Sequence, residues 1–289
     1  MILLAVTRAI FLADLSMKRQ GDMQKQKNKN KNSDWSPIGT LREVGQDYSG
    51  RSIGNRSSSD FLEICEIDGT IHYRHKEKYW SPHEREFDTQ YGLFVSDDQG
   101  EFGGKLILPD GSEINGNYCD VFDLGDKVIA VGSFGHLLIG RFQLLEFSGI
   151  KDYRTLYSTY SCYEDLGILS GEKEENISED LTLLACTKSD RDAWFLIGGS
   201  ITYLYKEKKN EYFHESRLLY LENGTVTEKM ILKNVFSYCT GMVKKSDLLY
   251  VGMDKMVARL DPTRNSVRYW TSISEGEQAA LDEKYGPKH

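Results

Sequence analysis

Three times in this chain a cysteine precedes by thirteen residues a glycine that closes an apolar run: Cys119 before Gly132, Cys186 before Gly199, and Cys239 before Gly252. Each interval reads as polar turn and apolar run, which is two antiparallel strands joined by a short reversal. The reversals fall at Gly125-Asp126, Asp190 to Asp192, and Lys244 to Asp247. A repeat of this kind constrains the fold strongly, because every copy must bury its apolar face against the next.

Each anchor glycine is followed by a second pair of strand-like runs: "HLLIGRFQLLEF", "ITYLYKEKKNEYFHESRLLYLENGTV" and "MVARLDPTRNSVRYW". Residues 91–114 show the same order, with Val95-Ser96 at the anchor and Asp110-Gly111 at the outer turn. Asp68-Gly69 and Asn223-Gly224 are tight hairpin signals, since both central residues of a primed turn need positive φ. Anchors near 96, 132, 199 and 252 are 36, 67 and 53 residues apart. Units of roughly 40–50 residues with about four strands each predict an all-β chain folded as a β-propeller of five blades. A sixth blade is expected only if 148–180 holds a degenerate unit. The acidic "SGEKEENISED" of 170–180 lacks apolar periodicity and reads as an inserted loop.

The stretch "LLYVGMDKMVARLDPTRNSVRYW", residues 248–270, resembles the blades of bacterial propeller-repeat proteins. There an apolar strand ends in glycine and precedes an LDP turn and a valine-to-tryptophan phrase. The resemblance implies an architecture and no particular activity. The chain lacks the Gly-His and Trp-Asp marks of one large propeller class and the double glycine of another.

Charge is uneven. Residues 1–34 hold seven basic and three acidic side chains, a net of +4, which leaves −12 for residues 35–289 of a chain whose total is −8. An acidic body repels nucleic acid and anionic membrane and favours a basic protein. The apolar start "MILLAVTRAIFLADLS" is interrupted by Arg8 and Asp14 and is too short to span a bilayer. Its charges follow the apolar stretch instead of preceding it, unlike a secretory signal. Residues 1–34 are therefore expected to be a disordered basic leader, 35–276 the propeller and 277–289 a tail. Five cysteines without a CxxC spacing indicate reduced thiols, hence a cytoplasmic protein with neither disulfide framework nor zinc.

The chemistry-bearing motifs are weak. His72 and His75 fall on opposite faces of a strand, which spoils them as a ligand pair, and with His83 they suit a solvated hairpin end. His136 stands alone beside an apolar run. Cys119, Cys186 and Cys239 recur at one position of the repeat, which suits a compact buried hydrophobe better than a nucleophile. "SDDQGEFGG" lacks the alternating carboxylates of a calcium loop. The tyrosine-rich "DYRTLYSTYSCYED" of 152–165 is too polar for a core strand and is expected to be an exposed binding loop carrying Tyr153, Tyr157, Tyr160, Tyr163, Glu164 and Asp165. With no catalytic set in ordered spacing, the sequence predicts a monomeric, cofactor-free, non-enzymatic binding protein whose acidic surface captures a basic partner, an immunity-type toxin inhibitor being one form. The alternative is a hydrolase or lyase acting on a carbohydrate or small metabolite in a central channel.

Overall fold

Strands that alternate apolar and polar residues bury one face; strands that are apolar throughout must bury both. The computed structural model shows the second case at the heart of the molecule. It describes residues 34–44, 61–76, 84–98, 103–136, 139–159, 175–205, 211–232, 236, 239–277 and 279.

The chain forms five antiparallel sheets. Sheet I joins β1 (Ser36–Pro37) to the hairpin β3 (Phe61–Ile67) and β4 (Thr70–Lys76). Sheet II is the meander β5 (Glu84–Thr89), β6 (Gly92–Asp98), β7 (Gly104–Ile107) and β8 (Glu113–Asn115). Sheet III runs β9 (Tyr118–Leu124), β10 (Lys127–His136), β11 (Ile139–Phe147) and β12 (Tyr153–Thr159). Sheet IV runs β13 (Glu175–Lys188), β14 (Asp192–Tyr205), β15 (Glu211–Glu222) and β16 (Thr225–Leu232). Sheet V runs β17 (Gly241–Lys245), β18 (Leu248–Met253), β19 (Met256–Asp261) and β20 (Ser266–Thr271), and takes β2 (Arg42–Val44) as a fifth strand. The expected hairpins are in place: Asp68 and Gly69 have φ of 48° and 71°, and Asn223 and Gly224 have 51° and 69°.

Four apolar clusters lie between successive sheets, and consecutive residues of one strand feed different clusters. On β10, Val128 and Ala130 join Phe94 and Phe147 between II and III, while Ile129 and Val131 join Phe142 and Phe195 between III and IV. On β19, Met256 and Ala258 face the IV/V cluster and Val257 the V/I cluster with Leu62 and Ile64. This is the period of two expected of a strand sandwiched on both sides. It sets the packing order II, III, IV, V, I. The first sheet in sequence thus packs on the last, with β3 against β17, β18 and β19.

Hydroxyls, buried or half-buried, stitch each of these junctions. Ser96 Oγ donates to Tyr118 O at 2.5 Å between II and III. Leu183 N donates to Ser133 Oγ at 2.9 Å, and Thr159 Oγ1 to Leu181 O at 3.3 Å, between III and IV. Phe236, on the way into sheet V, donates its N–H to Ser216 Oγ of sheet IV at 3.3 Å. Thr240 Oγ1 donates to Leu62 O at 2.5 Å between V and I. The anchor glycines of the repeat stand beside these stitches. Gly132 pairs with Tyr118, Gly199 with Leu181 and Gly252 with Gly241 across the first two strands of their sheets. A Cβ at Gly252 would run into the Leu62 carbonyl and the Thr240 hydroxyl. The glycine is there because two sheets approach at backbone distance.

Residues 36–44 act as a strap. Ser36 and Pro37 pair with Tyr73 and His72 of sheet I, and after a 3-10 turn (Ile38–Thr40) Arg42 to Val44 pair with Thr271 to Tyr269 of sheet V. Leu41 drops into the V/I cluster at 8% exposure.

Two expectations are corrected. Residues 175–180 are no loop: they open β13 and pair with residues 205–200 of β14. Residues 153–159 are the outer strand of sheet III, since an edge strand needs only one apolar face and tolerates polar residues on the other. The described parts of 148–180 thus belong to sheets III and IV, and the described residues form five sheets, with 160–174 outside them. No helix among the described residues is long and apolar enough to cross a membrane.

Candidate functional site

The tyrosine-rich segment does not gather into one patch on its described residues. β12 carries a register shift, so that Leu144 pairs with Tyr157 but Leu145 with Thr155. The extra residue turns the two tyrosines to opposite faces. Tyr153, 45% exposed, leans on Phe147 with ring centroids 5.2 Å apart, while Tyr157 packs on Phe142 at 6.0 Å. Tyr160, Tyr163, Glu164 and Asp165 lie outside the described residues.

The cysteines sit where the repeat predicts, against the inter-sheet clusters. Cys119 Sγ donates to Val131 O at 3.4 Å. Burial, the largest cause in each case, pushes the thiols of Cys119 and Cys239 up to about 12 and that of Cys186 up to about 11 from the ordinary 9.0. These thiols stay protonated in the fold but ionise near 9 once unfolded. The unfolded chain then holds fewer protons above that pH, so stability contributed by the thiols is complete below about 9 and is lost as pH rises towards 11–12. A urea midpoint that falls between pH 8.5 and 10.5 in the native chain, and falls less in the Cys119→Ala/Cys186→Ala/Cys239→Ala variant, is the expected result. His72 Nδ1 lies 3.0 Å from Thr70 O and His75 packs edge-on to Tyr73, while His83 lies outside the described residues.

A groove of about 410 Å³ lies between sheets II and III among the described residues, within the range of small-ligand sites. It opens at the end of the sheets where β8 passes into β9. Its walls come from Gly103 and Gly104, the connector Asn115 to Asn117, Gly132 to Phe134 on β10, and Arg141 and Gln143 on β11. Local sequence explains the space. Gly116 has φ of 138°, and a Cβ there would strike the Tyr118 ring; a Cβ at Gly132 would strike the Gln143 side chain. The two glycines let a fully buried Tyr118 and a 6%-exposed Gln143 meet, with Gln143 Nε2 donating to Tyr118 Oη at 2.7 Å. Burial, the leading cause, lifts the Tyr118 phenol up to about 12, so it stays neutral near pH 7.

The described lining is thus amide, hydroxyl, exposed backbone, one aromatic and one guanidinium. Such a set donates and accepts hydrogen bonds but holds no group poised to move a proton at neutral pH. Sequence reasoning missed it because Gly116, Gly132 and Gln143 acquire meaning only when two sheets meet.

A second feature lies at the opposite end, where the first two strands of every sheet turn. Gln90 N donates to Asp123 Oδ1 at 3.0 Å, Tyr91 Oη to Asp126 O at 2.9 Å, and Gly125 N to Asp190 O at 3.0 Å. These contacts set neighbouring turns side by side. Asp68, Asp88, Asp126, Asp190 and Asp247 are exposed there, one from each sheet, with exposed Arg191 among them. Lys244 and Lys127 at this end are held by Asp192 at 2.7 Å and Asp126 at 3.6 Å.

No protein-family model matches the chain, and no curated protein sequence does. Nine solved chains match it. One is the crystal structure of the N-terminal domain of Nup159, at 13% identity and a TM-score of 0.30 over 75% of this chain and 66% of that one. The chain therefore spans just under two thirds of that structure's length. An overlap of this size carries no inference about fold or function, which rest on the geometry above.

Proposed function

We propose that the chain is a five-bladed β-propeller that works by binding, with its turn end presenting aspartates to a basic protein partner. The observation that supports the reading is the packing order II, III, IV, V, I: sheet I, first in the chain, packs on sheet V, the last, as a closing ring requires. In this reading sheets I and II close the ring, and the 36–44 strap ties sheet I to sheet V. A rigid ring lends its end surfaces to recognition, and aspartates contributed by five separate sheets meet a cationic surface without rearrangement. An acidic body of net −12 adds attraction at long range. In this reading the protein is monomeric and cytoplasmic and needs no cofactor; an immunity-type inhibitor of a cationic toxin is one form of it.

The test uses the immobilised full chain and its Asp68→Asn/Asp126→Asn/Asp190→Asn/Asp247→Asn variant as baits in native extract. The expected result is one stoichiometric basic protein held at low salt, released as salt rises, and lost from the variant. Retention by both baits alike, or no basic protein on either, contradicts the reading.

A further inference from the structure

A ring of like charges attracts a basic partner but does not fix how that partner is rotated. Asp68, Asp88, Asp126, Asp190 and Asp247 come one from each sheet, so turning a cationic surface by one sheet sets it on a near-equivalent group of acids. A single orientation needs a contact that the repeat does not copy. The turn end offers one between sheets III and IV, a cavity of about 320 Å³. Among its described lining, three cations (Lys127, Arg154 and Arg191) stand against two carboxylates (Asp126 and Glu146), a net positive spot on an acidic body. Both carboxylates are engaged. Arg154 Nε donates at 2.8 Å to Oε1 of Glu146, itself only 5% exposed, and Lys127 Nζ lies 3.6 Å from Asp126 Oδ2. Arg191 makes no ion pair with any described residue, although residues 35–289 carry a net −12. Its place is fixed by the turn: Gly125 N donates to Asp190 O at 3.0 Å, which joins the turns of sheets III and IV one residue before it. A guanidinium so placed takes a carboxylate through paired hydrogen bonds.

We propose that this cavity seats, on Arg191, one carboxylate side chain of an otherwise basic protein, and so fixes the rotation of that protein on the aspartate ring. The inference rests on the partner reading above and adds the surface the partner presents: lysines or arginines around a single Asp or Glu. Lys245, at the turn end of β17 and also without an ion pair to a described residue, lies outside the cavity and supplies the control.

The probes are two N-acetylated, C-amidated peptides with Gly-Glu-Gly or Gly-Gln-Gly between equal runs of lysine, titrated into the full chain at low salt. The glutamate peptide is expected to bind about three-fold more tightly despite its smaller positive charge, a difference of the size one exposed ion pair gives. Arg191→Gln is expected to reverse that order. Lys245→Gln, which removes the same charge from the same end, is expected to preserve it, and neither variant to move the urea midpoint. A glutamine peptide that binds the native chain as tightly or more tightly overturns the carboxylate contact and leaves the partner reading in place. So does an order that survives Arg191→Gln, or one that Lys245→Gln abolishes equally. Failure of both peptides to bind overturns the two together.

Discussion

Deleting residues 34–44 is expected to destabilise the protein more than any single surface change, because the strap bridges sheets I and V and covers the core between them. It contributes three paired residues to the outer edge of β20, two to β4, and Leu41 to the cluster between sheets V and I. Leu41→Ala alone should cost about 2–5 kcal/mol, the usual range for a buried leucine. The deletion removes that contact, uncovers Leu62 and Val257 beneath it, and leaves β20 as a bare edge. A domain whose net stability is of the usual order of 5–15 kcal/mol has little margin for such a loss. The expected result is a urea transition shifted to much lower denaturant in the deletion, with Leu41→Ala intermediate. A deletion no less stable than Leu41→Ala would show that the strap carries only its leucine. Glu43, exposed and 3.3 Å from Arg268, should be close to neutral when replaced by alanine.

Gly252→Ala should cost about 1–3 kcal/mol or more, the range for forcing extra atoms into a packed core. The added methyl would meet backbone, the Leu62 carbonyl of the neighbouring sheet, and the Thr240 hydroxyl that bonds to that same carbonyl. Neither can turn away as a flexible side chain would. Gly39→Ala is the control, since nothing lies within 4 Å of a Cβ built there. Equal urea midpoints for the two variants would refute the close approach of sheets V and I.

What the sequence made legible was everything encoded by neighbours in the chain. The Asp68-Gly69 and Asn223-Gly224 hairpins, the thirteen-residue cysteine-to-glycine step and the four-strand unit are local patterns, and each has a direct structural counterpart. The strap was not legible. Arg42 pairs with Thr271 across almost the whole chain, and a three-residue strand is too short to show alternation. The acidic start of β13 reads as a loop because its pairing with β14, and not an apolar face, defines it there. The tyrosines of 153–157 pointed to one surface, but the extra residue in β12 that turns them apart leaves no mark in composition. The groove was hidden for the same reason as the strap. Gln143 looks like an ordinary polar residue until it is seen buried beside Tyr118.

The closure of sheets I and II is the centre of the account, and a distance measured across it tests it most directly. In a variant with all five cysteines replaced by alanine, spin labels at Asp68 and Asp88 report the I-to-II separation at the turn end, and labels at Asp88 and Asp126 report the II-to-III separation. A ring predicts two similar distances. An open stack predicts that the Asp68-to-Asp88 distance is by far the longer, and that result would contradict the propeller.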